Sequence, residues 1–187
     1  ILDKDVLLTE YSPIYAREYM TETEPKEFMY GIPGRPYSPD STEKKILRQI
    51  STNARMPIVE LSKMTGLSRD IINYRMKKLS KDRIIDQFRC YPNLENIGIN
   101  LYKIIFRTKN FDEAAEKKVR AYVAGHKKAP QMLKLIGSWD LEIEFEVESE
   151  DELYRHLTDI RKRFSSIIRD FDILRVTKTC RHDYFPF

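Results

Sequence analysis

The stretch LEIEFEVES (141–149) alternates without a break. Leu141, Ile143, Phe145 and Val147 fall on one side, and Glu142, Glu144, Glu146 and Glu148 on the other. A period of two is a strand, and a single apolar face is a strand covered on one side only. That pattern belongs to antiparallel sheets, whose second face meets water, so the four glutamates are expected on the solvated face. Four acidic residues in a row can also hold a metal ion, but a solvated face needs no ligand to explain it.

The neighbouring segments complete the pattern. INLYKIIFRT (99–108) reads as a strand. FDEAAEKKVRAYVAGH is a helix with Ala115, Val119, Tyr122 and Val123 on its dry side. QMLKLIGSWD is a strand ending in a turn at Gly137-Ser138. SEDELYRHLTDIRKRF follows as a helix capped by Ser149, with Asp151 and Glu152 in its first turn and Arg161, Lys162 and Arg163 in its last. That is the charge order a helix dipole favours. IRDFDILRVTKT is a closing strand. The order β-α-β-β-α-β predicts a ferredoxin-like module, and with the helices upstream an α+β chain.

Upstream, GIPGRPYSPD (31–40) holds three prolines and two glycines and reads as a linker. Asp40, with Glu43 three residues on, marks a helix start. Ile46, Leu47 and Ile50 repeat at helical spacing to about Ser51. Pro57 opens a second helix with Val59, Leu61 and Met64, ending at Gly66. Ser68 caps a third, whose Ile72, Met76 and Leu79 form one inward stripe. RIIDQFRCYP then alternates loosely and is expected to be a wing strand. The predicted divisions are 1–39, an N-terminal extension and linker; 40–91, a helix-turn-helix DNA-binding domain; and 92–187, a ferredoxin-like domain, to which the family resemblance described below adds a dimerisation and effector-sensing role.

Charge supports this division. The whole chain carries a formal +4, but residues 40–91 hold twelve basic and six acidic side chains, a local +6. A basic module beside a nearly neutral one implies a polyanion partner for the first. In a helix-turn-helix the third helix enters the major groove, and only its outer, N-terminal residues reach base edges. Here those are Ser68, Arg69, Asp70, Asn73 and Tyr74, with Lys77 further along. Arg suits guanine and Asn suits adenine through paired hydrogen bonds. Arg55, Lys78 and Lys81 are placed for phosphates. Asp70 repels a phosphate, so it is expected to pair with Arg69 or Lys77 or to accept from a cytosine amine.

The residues "NAR" at 53–55, "EL" at 60–61, "GLS" at 66–68, "YRMKKL" at 74–79 and "II" at 84–85 resemble the DNA-binding half of the Lrp/AsnC (leucine-responsive, feast/famine) regulators. The second half, including IGSWDLEIEFEV (136–147), resembles that family's sensing domain. The resemblance spans roughly Asp40 to Lys178. It implies a sequence-specific, double-stranded-DNA-binding transcription regulator that is at least a homodimer, packs through its sheets and commonly answers to amino acids. It also implies an effector loop at Gly137, Ser138, Trp139 and Asp140, where amides meet a carboxylate and Asp140 an ammonium. The residue-level alternative is a hairpin turn with a capping Asp and a packed Trp. Two departures stand out. Arg83 sits where the family has Gly, and the segment before Ser38 has no counterpart in short members.

Catalysis finds little support. His126, His156 and His182 are scattered, neither Cys90 nor Cys180 has a partner at metal-ligand spacing, and no glycine loop cradles a phosphate. No cofactor, metal or catalytic residue is expected. The main rival is a haem-biosynthesis decarboxylase-like, tetrapyrrole-processing enzyme on the same architecture; a second is a sensing protein that no longer binds DNA. Two cysteines and no long apolar run suggest a reduced, cytoplasmic protein without a membrane partner.

An internal echo closes the sequence reading. ILDKDVL (1–7) matches IRDFDIL (168–174) at the isoleucine, both aspartates and the last leucine, and after a two-residue slip EYM (18–20) echoes DYF (183–185). Ile1 to about Thr21 is then expected to be the tail of an earlier copy of the module, the alternative being a plain extension.

Overall fold

The side chains at 141, 143, 145 and 147 are buried as their alternation requires. The structure, a computed structural model, describes residues 6–17, 19–20, 27–30, 36–179 and 185. It divides into two units, one of residues 1–33 and 93–178, the other of 34–92 and 179–187. The linker residues 31–35 lie outside the described residues.

The helical unit contains α1 (Ser41–Ile50), α2 (Ile58–Thr65) and α3 (Arg69–Lys81). Asp40 accepts from the Glu43 amide while Glu43 returns a bond to the Asp40 amide, so the expected capping box forms. Gly66 ends α2 in the left-handed conformation at φ 70°, and Ser68 caps α3. The core between the helices is Ile46, Ile50, Leu61 and Ile72, with Leu47, Met56, Met76 and Ile85 against it. Of the apolar residues named for α2, only Leu61 is buried; Val59 and Met64 are exposed.

The expected wing strand is absent. Residues 84–91 form no ladder, and the Ile84 and Ile85 amides both donate to the Leu79 carbonyl, at 2.8 and 3.1 Å. Alternation alone does not make a strand; a second strand must supply the other half of its hydrogen bonds, and among the described residues none pairs with it.

The sheet unit contains β1 (Leu8–Ile14), β2 (Phe28–Tyr30), β3 (Asn100–Thr108), α4 (Glu113–Ala124), β4 (Gln131–Ile136), β5 (Leu141–Val147), α5 (Glu150–Arg163) and β6 (Ile168–Val176). The strand order is β2-β1-β4-β5-β3-β6, all neighbours antiparallel. The last four are the expected β-α-β-β-α-β module. The helices cover the face carrying Tyr102, Ile104, Phe106, Met132, Ile143 and Phe145, closed by Val119, Val123, Leu153, Leu157 and Ile160. The N-terminal segment joins this sheet: β1 lies along β4, with Leu8 opposite Ile136 and Ile14 opposite Gln131.

Candidate nucleic-acid interface and effector loop

Packing holds α3 by one stripe and leaves the rest bare. Ile72 and Leu79 are fully buried, whereas Ser68, Arg69, Asp70, Asn73, Tyr74, Lys77, Lys78 and Lys81 are all exposed, as is Arg55 in the turn before α2. Tyr74 is 68% exposed. Asp70 has no ion-pair partner among the described residues, so neither Arg69 nor Lys77 neutralises it. Its place in the first turn of α3 accounts for it locally, since a carboxylate there faces the positive end of the helix.

Sequence reasoning missed the support beneath this face. Arg75 reaches Asp40 at 2.8 Å and Glu43 at 3.0 Å, and Lys78 approaches the same Glu43 at 3.7 Å. Tyr37 donates to the other Glu43 oxygen at 2.8 Å. Burial pushes the Glu43 carboxyl up, but Tyr37, the Asp40 amide and Arg75 outweigh it and hold it below the usual carboxylate range. The angle of α3 on α1 is thus set by an ion cluster as well as by the core. Arg75 flanks the inward stripe, which was the available signal. Sequence reading also passed over Ile71, an exposed apolar side chain on the outer face of α3.

In the sheet unit, the Gly137–Asp140 turn is stitched on every side. The Asp140 amide donates to the Phe106 carbonyl at 2.9 Å and the Leu135 amide to the Asp140 carbonyl at 2.9 Å. Asp140 Oδ2 accepts from the Thr108 amide and hydroxyl at 2.6 and 2.9 Å. Trp139 is 7% exposed, packed with Ile105, Leu135 and Leu7, and the Arg107 guanidinium lies 4.0 Å from its ring centre. Arg107 also donates to the Ser138 carbonyl. Gly137 has φ 148°, and a Cβ there would stand 2.8 Å from Leu7 Cδ2 and 2.9 Å from the Val6 carbonyl oxygen. The chain's own N-terminal segment therefore occupies the space directly over this turn.

The glutamates of β5 overturn an expectation. Glu146 is 1% exposed and Glu142 is buried, not solvated. Arg17 clamps Glu146 with three bonds of 2.7 to 3.0 Å, and Tyr19 donates to it as well. Lys103 lies 2.5 Å from Glu142 and 3.0 Å from Glu144. The sequence signal was incomplete because the cations come from other strands and from the N-terminal segment. Among the described residues no cluster suited to a metal ion is present. The histidines expected to be scattered include a pair: His126 Nε2 and His156 Nδ1 are 3.1 Å apart, packed on Phe145. His182 lies outside the described residues.

Residues 39–86 match the winged helix-turn-helix DNA-binding family. The HTH-type transcriptional regulator FL11 of Pyrococcus furiosus is 26% identical over 121 residues, covering 63% of this chain and 77% of its own. A proline dehydrogenase transcriptional activator of Rhizobium radiobacter is 30% identical over 83 residues, 44% of this chain and 52% of its own. Among solved structures, the Neisseria meningitidis regulator NMB0573 in complex with L-Met superposes with a TM-score of 0.68 at 21% identity, covering 79% of this chain and 95% of that one. Escherichia coli AsnC gives 0.63 at 21%, covering 78% and 97%. The exposed, capped third helix and these matches define the class: a helix-turn-helix, DNA-binding transcriptional regulator. Within that class its architecture, a helix-turn-helix unit followed by a ferredoxin-like module, is that of the Lrp/AsnC regulators. No described helix is long and apolar enough to cross a membrane.

Proposed function

We propose that residues 40–91 read a specific DNA sequence as a dimer, with two α3 helices entering successive major grooves about 34 Å apart. The observation that carries this is the outer face of α3: Ser68, Arg69, Asp70, Asn73, Tyr74 and Lys77 all exposed on a helix fixed from behind by Ile72, Leu79 and the Glu43 cluster. Arg69 and Asn73 make the base contacts, and Asp70 accepts from a cytosine amine. Arg55, Lys77, Lys78 and Lys81 hold phosphates. The remaining module, residues 93–178 together with the N-terminal strand, dimerises through the sheet face that carries Lys103 and Leu174. Selection of bound sequences from a random duplex pool tests the proposal. A defined half-site is expected, and Arg69→Ala should cost about 1–3 kcal/mol against it while leaving other sequences unaffected. Binding no tighter to selected than to random duplex would remove the DNA reading and leave a sensing protein.

The second module is proposed to respond to a small molecule such as an amino acid at the Gly137–Asp140 turn, a reading supported by the L-Met complex of the Neisseria regulator. Such a ligand must displace Val6 and Leu7 from over Gly137. Trp139, the one tryptophan, reports on this directly. Titration with each amino acid should shift its emission toward the red for an effector, and an unchanged spectrum across the set would discard the loop as a binding site. The proposal includes no catalysis; His126 and His156 are spent on each other and on Phe145.

A further inference from the structure

We propose that Ile71 and Tyr74 read the methyl group of a thymine in the major groove, next to the base that Asp70 holds. The inference rests on the DNA reading and deepens it. It adds an apolar contact to a face otherwise described only by its hydrogen bonds and charges.

Residues three apart on a helix are surface neighbours, so Ile71 and Tyr74 form one apolar pair on α3. Ile71 is 44% exposed and Tyr74 68%. With Thr42 at the start of α1 and Leu67 in the turn before α3, they line an open hollow of about 480 Å³, completed by Asp70 and Arg75. Leu67 packs against the helical core, which fixes the hollow from behind. The fold does not account for the pair. The buried stripe of α3 is Ile72 and Leu79, and Ile71 and Tyr74 stand outside it. A lone exposed apolar residue needs no explanation, but two that share a hollow on a DNA-facing helix do.

The charges around the hollow select its occupant. Arg75 is engaged with Asp40 at 2.8 Å and Glu43 at 3.0 Å. Asp70 has no ion-pair partner among the described residues and repels a phosphate. The hollow therefore suits no anion. It offers an apolar surface beside a carboxylate acceptor, which matches a methyl group beside an N–H donor. Arg69, Lys77 and Lys78 are exposed on the same helix, in a module of net +6, so the group belongs to a polyanion. A second copy of this chain would bring its own +6 to the same face and be repelled. Duplex DNA meets every condition: the thymine methyl is the apolar group on its major-groove edge, and the cytosine and adenine amines are the donors there.

The test uses the full chain and the half-site selected from the random duplex pool. Each thymine is replaced in turn by deoxyuridine, which removes the methyl and nothing else. At one position this should weaken wild-type binding about three- to fivefold, the effect of burying one methyl group. Ile71→Ala should bind the thymine duplex more weakly by a similar factor, should not distinguish thymine from uracil at that position, and should keep the wild-type salt dependence. Tyr74→Phe should keep the thymine preference, because the ring and not the hydroxyl meets the methyl. Ile71 lies outside the core, so its variant retains the fold, which a thermal melt checks. A half-site at which every uracil duplex binds like its thymine parent overturns this proposal and leaves the DNA reading standing. So does an Ile71→Ala chain that still shows the full uracil effect. A pool that yields no half-site overturns both. A dimer lost from Ile71→Ala without DNA, seen by sedimentation velocity, would give the hollow to a second copy and overturn this proposal alone.

Discussion

Arg83 carries a backbone conformation that suits glycine: φ is 57°, in the left-handed region, just after α3 ends. A side chain there costs roughly 1–2 kcal/mol, and the bond from the Arg83 guanidinium to Asp86 at 3.1 Å is too exposed to offset much of it. Arg83→Gly is therefore expected to raise stability by about 0.5–1 kcal/mol, net of glycine's greater freedom when unfolded, measured by chemical denaturation. A destabilised variant would mean the Asp86 bond outweighs the strain. Sequence marked this position only through the family resemblance, as an Arg where the family has Gly, and left open a turn without positive φ or one with strain; the left-handed backbone is the strained outcome. Glu146 was not legible. Alternation told which face of β5 points away from the helices, but not what lies on that face, and Arg17 arrives from 129 residues away. Arg17→Ala should cost about 3 kcal/mol by leaving a buried carboxylate unpaired. Glu146→Gln should cost much less, since a neutral amide tolerates the same burial; equal losses would show that the clamp matters for packing and not for charge.

Helix starts at Asp40, Ser68 and Ser149 were readable because their signals are local: each accepts a bond from the amide three residues on, as Asp112 does at the start of α4, where no cap was read. The wing was misread because a strand is defined by its partner, and Ile84–Tyr91 has none among the described residues. Equally invisible was the meeting of the end of α4 with α5, where His126 faces His156 over Phe145. Burial, then the neighbouring His156, pushes His126 from 6.5 down to about 4. Burial lowers His156 too, partly countered by Glu152. Both are bases that the folded state keeps neutral while the unfolded state protonates them, so the unfolded chain binds more protons below about 6.5. Stability is full above that pH and falls as pH drops toward about 4. Thermal melts from pH 7.5 to 4.5 should show that decline, and His126→Gln should flatten it while lowering the plateau. A variant whose slope matches wild type would place the acid sensitivity elsewhere.

At the scale of the molecule, sequence gave the two modules and their order, since each has its own hydrophobic period and its own charge; it did not give the N-terminal strand, whose pairing with β4 is set by an edge more than a hundred residues downstream. The uneven charge makes the strongest whole-molecule prediction. Each phosphate neutralised on duplex DNA releases condensed counterions, so the logarithm of affinity falls with the logarithm of salt by about 0.9 per contact. The net +4 of the chain is a poor guide to that slope, because it averages a +6 module with nearly neutral surroundings. The structure further sorts the basic residues. Lys81 is exposed and without an ion pair among the described residues, whereas Lys78 already stands 3.7 Å from the buried Glu43, and Arg75 is engaged there. Lys81→Ala should lower the salt slope by about one and weaken all sequences alike. Lys78→Ala should lower it by less, because a lysine shared with Glu43 has less charge to offer a phosphate. Asn73→Ala should leave the slope unchanged and lose discrimination at one base pair, about 1–3 kcal/mol. Fluorescence anisotropy across a salt series separates the three. An Asn73→Ala chain that loses slope but keeps its sequence preference would mean that α3 lies along the backbone and does not enter the groove.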